Sequence, residues 1–242
     1  MPLDPSLVDM LRGVSTATLT MQLLKRGIRR SAMEGVRPLV PMTRRLVGEA
    51  FTLAYLPLRE DLSDYSVLAR PDYAPRLAIE QAPSGSVLVI DARGEAATGI
   101  VGDILAARLK TRGVAGIVTD GGLRDVEATA PLGLPIFAAG PAAPASISGL
   151  SGAGMQGPIG CGRVAVIPGD VIVGDQDGVV VVPKALAAEV ARDGAEQERL
   201  ERFIQIKILA GAATPGIYPA NDATKAEYKE WLAAGEPKEW RR

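Results

Sequence analysis

Histidine is absent from the 242 residues, and cysteine occurs once. The first absence removes a Ser-His-Asp triad, a histidine general base and any histidine-ligated metal. The second removes an internal disulfide and a cysteine-held zinc. Aromatic residues make up only 4% of the chain, so Val, Leu, Ile and Ala must fill the core that a 47% apolar composition promises. A strong charge of either sign is missing too. Lys+Arg 27 against Asp+Glu 28 leaves a net charge of −1, which argues against nucleic-acid binding by bulk charge. No stretch approaches the roughly 18 uninterrupted apolar residues of a membrane helix. Met1 to Arg12 carries acidic residues and no apolar run, unlike a signal peptide. The chain therefore reads as soluble and cytoplasmic, with neither nucleic acid nor membrane as partner. Its chemistry must come from carboxylates, Arg, Lys, hydroxyls, backbone amides, or a metal held by oxygen.

The length suits one large domain or two small ones, at about 100–200 residues per domain, and no repeat or low-complexity linker divides it. Ser15 caps a helix that carries Leu19, Leu23 and Leu24 and stops near Gly27. Val47–Leu56 reads as a strand ended by Pro57, and the polar stretch from Glu60 to Glu80 as a loop leading into a helix. A βαβ rhythm follows. Ser86–Ile90 is a short apolar run suited to a strand buried on both faces, and Asp91–Val101 a Gly-containing loop. Asp103–Arg112 has helical periodicity with acid first and base last. Val114–Thr119 and Pro135–Ala138 read as the next strands. Arg163–Ile167, Val171–Val173 and Val179–Val182 form a meander on turn signals, and Pro183 opens a charged helix reaching about Leu209. The polar tail from Pro215, with two Trp, is expected on the surface or on a neighbour. These patterns define an α/β fold.

Three motifs are set aside. Gly152, Gly154 and Gly157 spell a dinucleotide fingerprint but lack the strand before and the helix after, so they read as a flexible loop. Asp175 and Asp177 resemble part of a calcium loop without its closing Glu, and read as a tight turn. Cys161 has no base to activate it and reads as a buried thiol.

One constellation remains: Gly102-Asp103, twenty residues, then Arg124-Asp125. Both segments lie at the carboxyl ends of adjacent parallel strands, where α/β sheets bind ligands. One acid suits a divalent cation and the other its bound water. Arg124 suits a developing oxyanion, and the free N–H groups of Gly102 to Leu105 suit a carboxylate. On spacing alone, a helix cap at Asp103 and a surface ion pair at Arg124 fit as well.

At these residues the sequence resembles the RraA-like proteins, which include the class II 4-hydroxy-4-methyl-2-oxoglutarate / 4-carboxy-4-hydroxy-2-oxoadipate aldolases. The resemblance runs from Gly13-Val14-Ser15-Thr16-Ala17-Thr18 to Gly211. It is most specific at Val47-Gly48-Glu49-Ala50-Phe51-Thr52, Asp120-Gly121-Gly122-Leu123-Arg124-Asp125 and Pro168-Gly169-Asp170 through Pro183. It implies a swivelling β/β/α single domain with a central mixed sheet flanked by helices, over residues 1–211, with a C-terminal extension over 212–242. It further implies a homotrimer or homohexamer with sites between subunits, and a Mg²⁺- or Mn²⁺-dependent lyase that releases pyruvate. Carried over by residue, Asp125 ligates the metal. Asp103 holds metal-bound waters and helps one act as base. Arg124 binds the C2 oxygen of pyruvate, and the amides of Gly102, Asp103, Ile104 and Leu105 hold its carboxylate. A late glutamate from a neighbouring subunit completes the family's site, and Glu198 is the candidate, with Glu201 one turn away. The expected reaction is cleavage of a 4-hydroxy-2-oxo acid, with oxaloacetate decarboxylation alongside. The alternative is a non-catalytic RraA-type regulator binding ribonuclease E or an RNA helicase. Regulators of that kind lack the first Asp, which is present here at Asp103.

Overall fold

The computed structural model describes residues 3–61 and 63–240. Met1, Pro2, Leu62, Arg241 and Arg242, which fall within the expected 1–211 and 212–242 boundaries, lie outside the described residues. The strands in chain order are β1 (Arg37–Pro38), β2 (Leu46–Pro57), β3 (Val87–Asp91), β4 (Gly99–Val101), β5 (Gly116–Thr119), β6 (Gly122–Leu123) and β7 (Ile136–Ala138). They continue with β8 (Gly140–Pro141), β9 (Leu150–Met155), β10 (Ile159–Cys161), β11 (Val164–Val166), β12 (Val171–Asp175) and β13 (Gly178–Val182). The helices are α1 (Pro5–Arg12), α2 (Thr16–Lys25), α3 (Ala74–Gln81), α4 (Asp103–Thr111), α5 (Val126–Thr129), α6 (Ala187–Leu209) and α7 (Asp222–Ala233). Among the described residues, no helix is long and apolar enough to cross a membrane.

An eight-stranded mixed sheet runs β1-β7-β5-β3-β2-β12-β13, with β9 also on β2. The centre is parallel: β2 with β3, β3 with β5, and β5 with β7. One edge of the long β2 serves two partners. Leu46 to Glu49 pair antiparallel with β12, and Leu53 to Pro57 pair antiparallel with β9. Strand β3 is buried at every position because its side chains alternate between two apolar layers. Leu88 and Ile90 pack with Leu109 and Ile117 on one side, under α3 and α4, whereas Val87 and Val89 pack with Phe137 and Ile172 on the other. Each such side chain contributes about 1.5–3 kcal/mol on burial. A third layer packs α1, α2 and α6 onto β12 and β13 through Leu11, Leu19, Leu23 and Val190. Ser15 caps α2 as its sequence suggests, its side chain accepting from Thr18 N–H.

Several expectations need correction. Gly152 and Gly154 lie in β9 rather than in a flexible loop. A Cβ at Gly152 would stand 2.6 Å from Pro75 Cδ, so the glycine permits a close approach of α3 to the strand. The loops expected between Asp91 and Val101 and after Thr119 hold strands of their own, β4 and β6, which join β8 in a separate three-stranded sheet. Asp103 is the first helical residue of α4, and Gly102 occupies the capping position. The tail, expected on the surface or on a neighbour, folds into a helix that packs on α6. Its helix α7 seats Trp231, fully buried, and Tyr228 against Phe203 of α6. Asp175 and Asp177 do form a turn, joining β12 to β13, and Asp175 is further tied to Thr16 by bonds of 2.8 Å to its N–H and 2.6 Å to its hydroxyl.

Candidate active site

The small sheet of β4, β6 and β8 places the Asp103 and Arg124 segments side by side. Strands β4 and β6 run parallel, Gly99 opposite Gly122 and Val101 opposite Leu123. The ladder is extended by Arg124 N–H donating to the Val101 carbonyl at 2.9 Å and Gly122 N–H donating to that of Thr98 at 3.0 Å. Chain leaving β4 enters α4 at Gly102, and chain leaving β6 enters α5 at Asp125. Both helix starts therefore open at one end of this sheet.

Glycines let the functional side chains in. A Cβ at Gly99 would lie 1.9 Å from Arg124 Cγ, so the Arg124 side chain crosses directly over that residue. A Cβ at Gly102 would lie 2.6 Å from Asp125 Oδ2, so the carboxylate rests on the start of α4. Asp125 has φ 54° and ψ 42°, a left-handed conformation that aspartate tolerates better than most residues. Its carbonyl is anchored by the Thr129 N–H at 2.9 Å and hydroxyl at 2.8 Å.

Arg124 is half-buried, and its Nε is buried without a hydrogen-bond partner. An unpaired buried donor costs about 1–3 kcal/mol, and the described residues supply this one with no acceptor. Asp103 turns one oxygen onto its own helix, Oδ1 accepting from Ile104 N–H at 2.8 Å. Of the amides expected to hold a carboxylate, that of Ile104 is thus engaged by Asp103. Those of Asp103 and Leu105 belong to the first turn, where N–H groups have no intrahelical acceptor. The Ile104 side chain beside them is 77% exposed.

No group of three or more His, Cys, Asp or Glu stands together as a metal cage among the described residues. A hard divalent cation does not require one. Mg²⁺ commonly takes one or two carboxylates and completes its shell with water and substrate oxygens. The oxygen donor of Asp125 resting on the open helix start, close to the unpaired Arg124, fits such an ion.

Behind the site the buried Asp91 and the half-buried Asp120 tie the strand ends together. Asp120 accepts from Ala92 N–H at 2.7 Å and Gly162 N–H at 3.2 Å, and Asp91 accepts from Arg93 N–H at 2.9 Å and Gly160 N–H at 3.3 Å. Burial, with the nearby Asp91 charge, pushes the Asp120 carboxyl above its ordinary range despite the two amides. Burial and the same acids push the Cys161 thiol well up, as suits an inert structural thiol. Motif reading passed over the role of Asp91. Its signal was the acid closing an otherwise apolar strand.

The late glutamates lie elsewhere in the chain. Glu198 Oε1 accepts from Ser15 N–H at 2.8 Å, and Glu201 accepts from Gln197 at 2.9 Å. Neither bonds to Asp103, Arg124 or Asp125. Partial burial works to raise the Glu198 carboxyl, but hydrogen bonds from Ser15 and Thr18 and the charge of Arg45 outweigh it and hold the group low. Arg59 and Asp61 pair with each other on the surface.

The fold is that of an RraA-like α/β domain. The chain belongs to the RraA-like family (Aldolase/RraA), whose model matches residues 7–181. A Halalkalibacterium halodurans protein, named as a candidate 4-hydroxy-4-methyl-2-oxoglutarate aldolase, is 41% identical over 138 residues. That match covers 55% of this chain and 65% of the relative, less than two thirds of the relative's length. The crystal structure of an uncharacterized protein from Pseudomonas syringae pv. tomato superposes with a TM-score of 0.79 at 31% identity, over 91% of this chain and 96% of that one. Streptomyces coelicolor RraAS2, described as an unusual member of the RNase ES inhibitor RraA family, gives 0.75 at 36% identity, over 85% and 98%.

Proposed function

We propose that the protein is a divalent-metal-dependent aldolase that cleaves a 4-hydroxy-2-oxo acid to pyruvate, with oxaloacetate decarboxylation as a second activity. The observation that carries this reading is the convergence of Arg124, with its unpaired buried Nε, and the Asp125 carboxylate on the start of α4. The name of the Halalkalibacterium relative supports it. Asp125 would hold the Mg²⁺ or Mn²⁺, and the ion when bound supplies a Lewis acid for the substrate's C1 carboxylate and C2 carbonyl. The first-turn amides of Asp103 and Leu105 take the remaining negative charge of the carboxylate. Asp103, through the oxygen not engaged by Ile104, accepts the C4 hydroxyl proton by way of a water. As the C3–C4 bond breaks, C4 becomes a carbonyl and the electron pair passes onto the C2 oxygen. Arg124 donates to that oxygen, stabilising the enolate until C3 is protonated and pyruvate forms. Decarboxylation of oxaloacetate uses the same Arg124 stabilisation without proton removal at C4.

The same reading makes the protein a homotrimer or homohexamer, with Glu198 or Glu201 of one subunit approaching the site of the next. Pyruvate release from oxaloacetate, measured with EDTA and after adding back Mg²⁺ or Mn²⁺, tests the proposal. Loss in chelator and recovery with metal are expected, and full turnover in chelator overturns it. The second reading, a non-catalytic regulator binding ribonuclease E or an RNA helicase, is supported by the description of the Streptomyces structure. A chain that releases no pyruvate with any divalent metal yet inhibits such an enzyme would favour it.

A further inference from the structure

A cavity of about 650 Å³ lies away from Arg124 and Asp125. It is walled by residues 84–86, 113–115 and 133–135, the turns that lead into β3, β5 and β7, and by the start of β2. These four strands are parallel, so the cavity opens at their amino-terminal edge, whereas Asp103 and Arg124 follow their carboxyl-terminal edge. Helix α4 spans the distance, with Asp103 at one end and Lys110 lining the cavity near the other.

Its lining is two-sided in character. The floor is apolar, with Val47, Phe51, Val114 and Leu134 all buried. Arg12, Arg44 and Lys110 contribute cations, against a single carboxylate, Glu49, which is already paired with Lys184 at 2.6 Å. Arg44 has no ion pair or hydrogen bond among the described residues. Arg12 reaches only the exposed Asp9, at 3.2 Å, and its Nε is buried without a partner. Lys110 donates to the Leu132 carbonyl and keeps further N–H groups free. The volume falls within the range of roughly 300–1,000 Å³ typical of small-molecule sites. A buried guanidinium N–H without an acceptor, beside an uncompensated cation and an apolar floor, is the complement of an amphipathic anion.

We propose that this cavity binds a small organic anion, with one carboxylate, sulfonate or phosphate head group held by the Arg12, Arg44 and Lys110 side chains and an apolar body on the Phe51 floor. The site is independent of the aldolase reading and stands or falls apart from it.

Fluorescence titration of the full chain with 8-anilinonaphthalene-1-sulfonate, an anion of this shape, tests it. Saturable binding of one dye per chain is expected, weakened about tenfold or more by Arg44→Gln and by Lys110→Gln, because hydrogen bonds to a charged partner are the strong ones. Both side chains are at the surface, so these variants should keep the wild-type melting temperature. Arg124→Lys should leave dye binding unchanged, which separates this cavity from the active site. Displacement by octanoate or by octyl phosphate supports the proposal and identifies the preferred head group. Overturning results are an absence of saturable binding, an affinity indifferent to Arg44 and Lys110, dye lost on changing Arg124, or displacement by neither competitor.

Discussion

The Asp125 carboxylate rests on Gly102, so closely that a single methyl group at residue 102 would stand 2.6 Å from Oδ2. The contact joins the two segments of the site across β4 and β6, and it makes the smallest possible substitution informative. Gly102 has φ −117° and ψ −174°, extended backbone that alanine adopts without strain. Gly102→Ala should therefore fold with a nearly unchanged melting temperature while pushing Asp125 aside. A displacement near 1 Å costs on the order of 10²-fold in turnover. Parallel measurement of kcat and Tm checks this, and wild-type kcat would show that Asp125 is not held for catalysis.

Arg124 separates an ion pair from an oxyanion donor. A surface pair would be worth about 0–1 kcal/mol of stability and nothing in rate. As the donor facing the enolate oxygen, its replacement by Lys keeps charge but loses the planar fork, and kcat should fall by roughly 10²–10³. The loss should appear with both the aldol and oxaloacetate substrates, with folding intact by circular dichroism.

Asp103 and Asp125 are expected to fail differently. Asp125→Ala should abolish metal binding, read by isothermal titration with Mn²⁺, and both activities with it. Asp103→Asn should impair aldol cleavage more than decarboxylation, because only cleavage removes a proton at C4. Equal losses in the two assays would contradict this division.

Glu198 carries a pH prediction with a definite sign. Its carboxyl is held below the ordinary glutamate value of 4.5 in the folded chain. The stability it contributes is therefore present above that value and is lost as pH falls through the lowered folded pKa. Glu198→Gln should cost about 1 kcal/mol at neutral pH, discounted for partial exposure, and should flatten the melting temperature against pH below 4.5 relative to wild type. If Glu198 also reaches a neighbouring site, co-refolding inactive Glu198→Ala chains with inactive Arg124→Ala chains should restore activity. A monomer by light scattering would end that part of the proposal.

The sequence by itself determined the chemistry allowed and most of the frame. With no histidine and one cysteine, only oxygen ligands and Arg remained for a metal-assisted site. The apolar run of β3 and the dipole-matched α4 were legible because their signals are local: an unbroken apolar stretch, and helical periodicity with acid first and base last. The pairing of Asp103 with Arg124-Asp125 was legible as spacing within one βαβ unit. Tertiary structure decided what local patterns do not encode. Strands β4 and β6, three and two residues long, are too short for periodicity to register, and they exist only because each supplies the other's hydrogen bonds. The glycines at 152, 99 and 102 looked like loop residues, and their purpose emerged only with the Pro75, Arg124 and Asp125 atoms that a Cβ would strike. The polar tail buries Trp231 because Phe203, reaching it from α6, meets both Trp231 and Tyr228 of α7. Which cations line one cavity is likewise a property of distance in space, since Arg12, Arg44 and Lys110 share no sequence pattern and come together only at the edge where parallel strands begin.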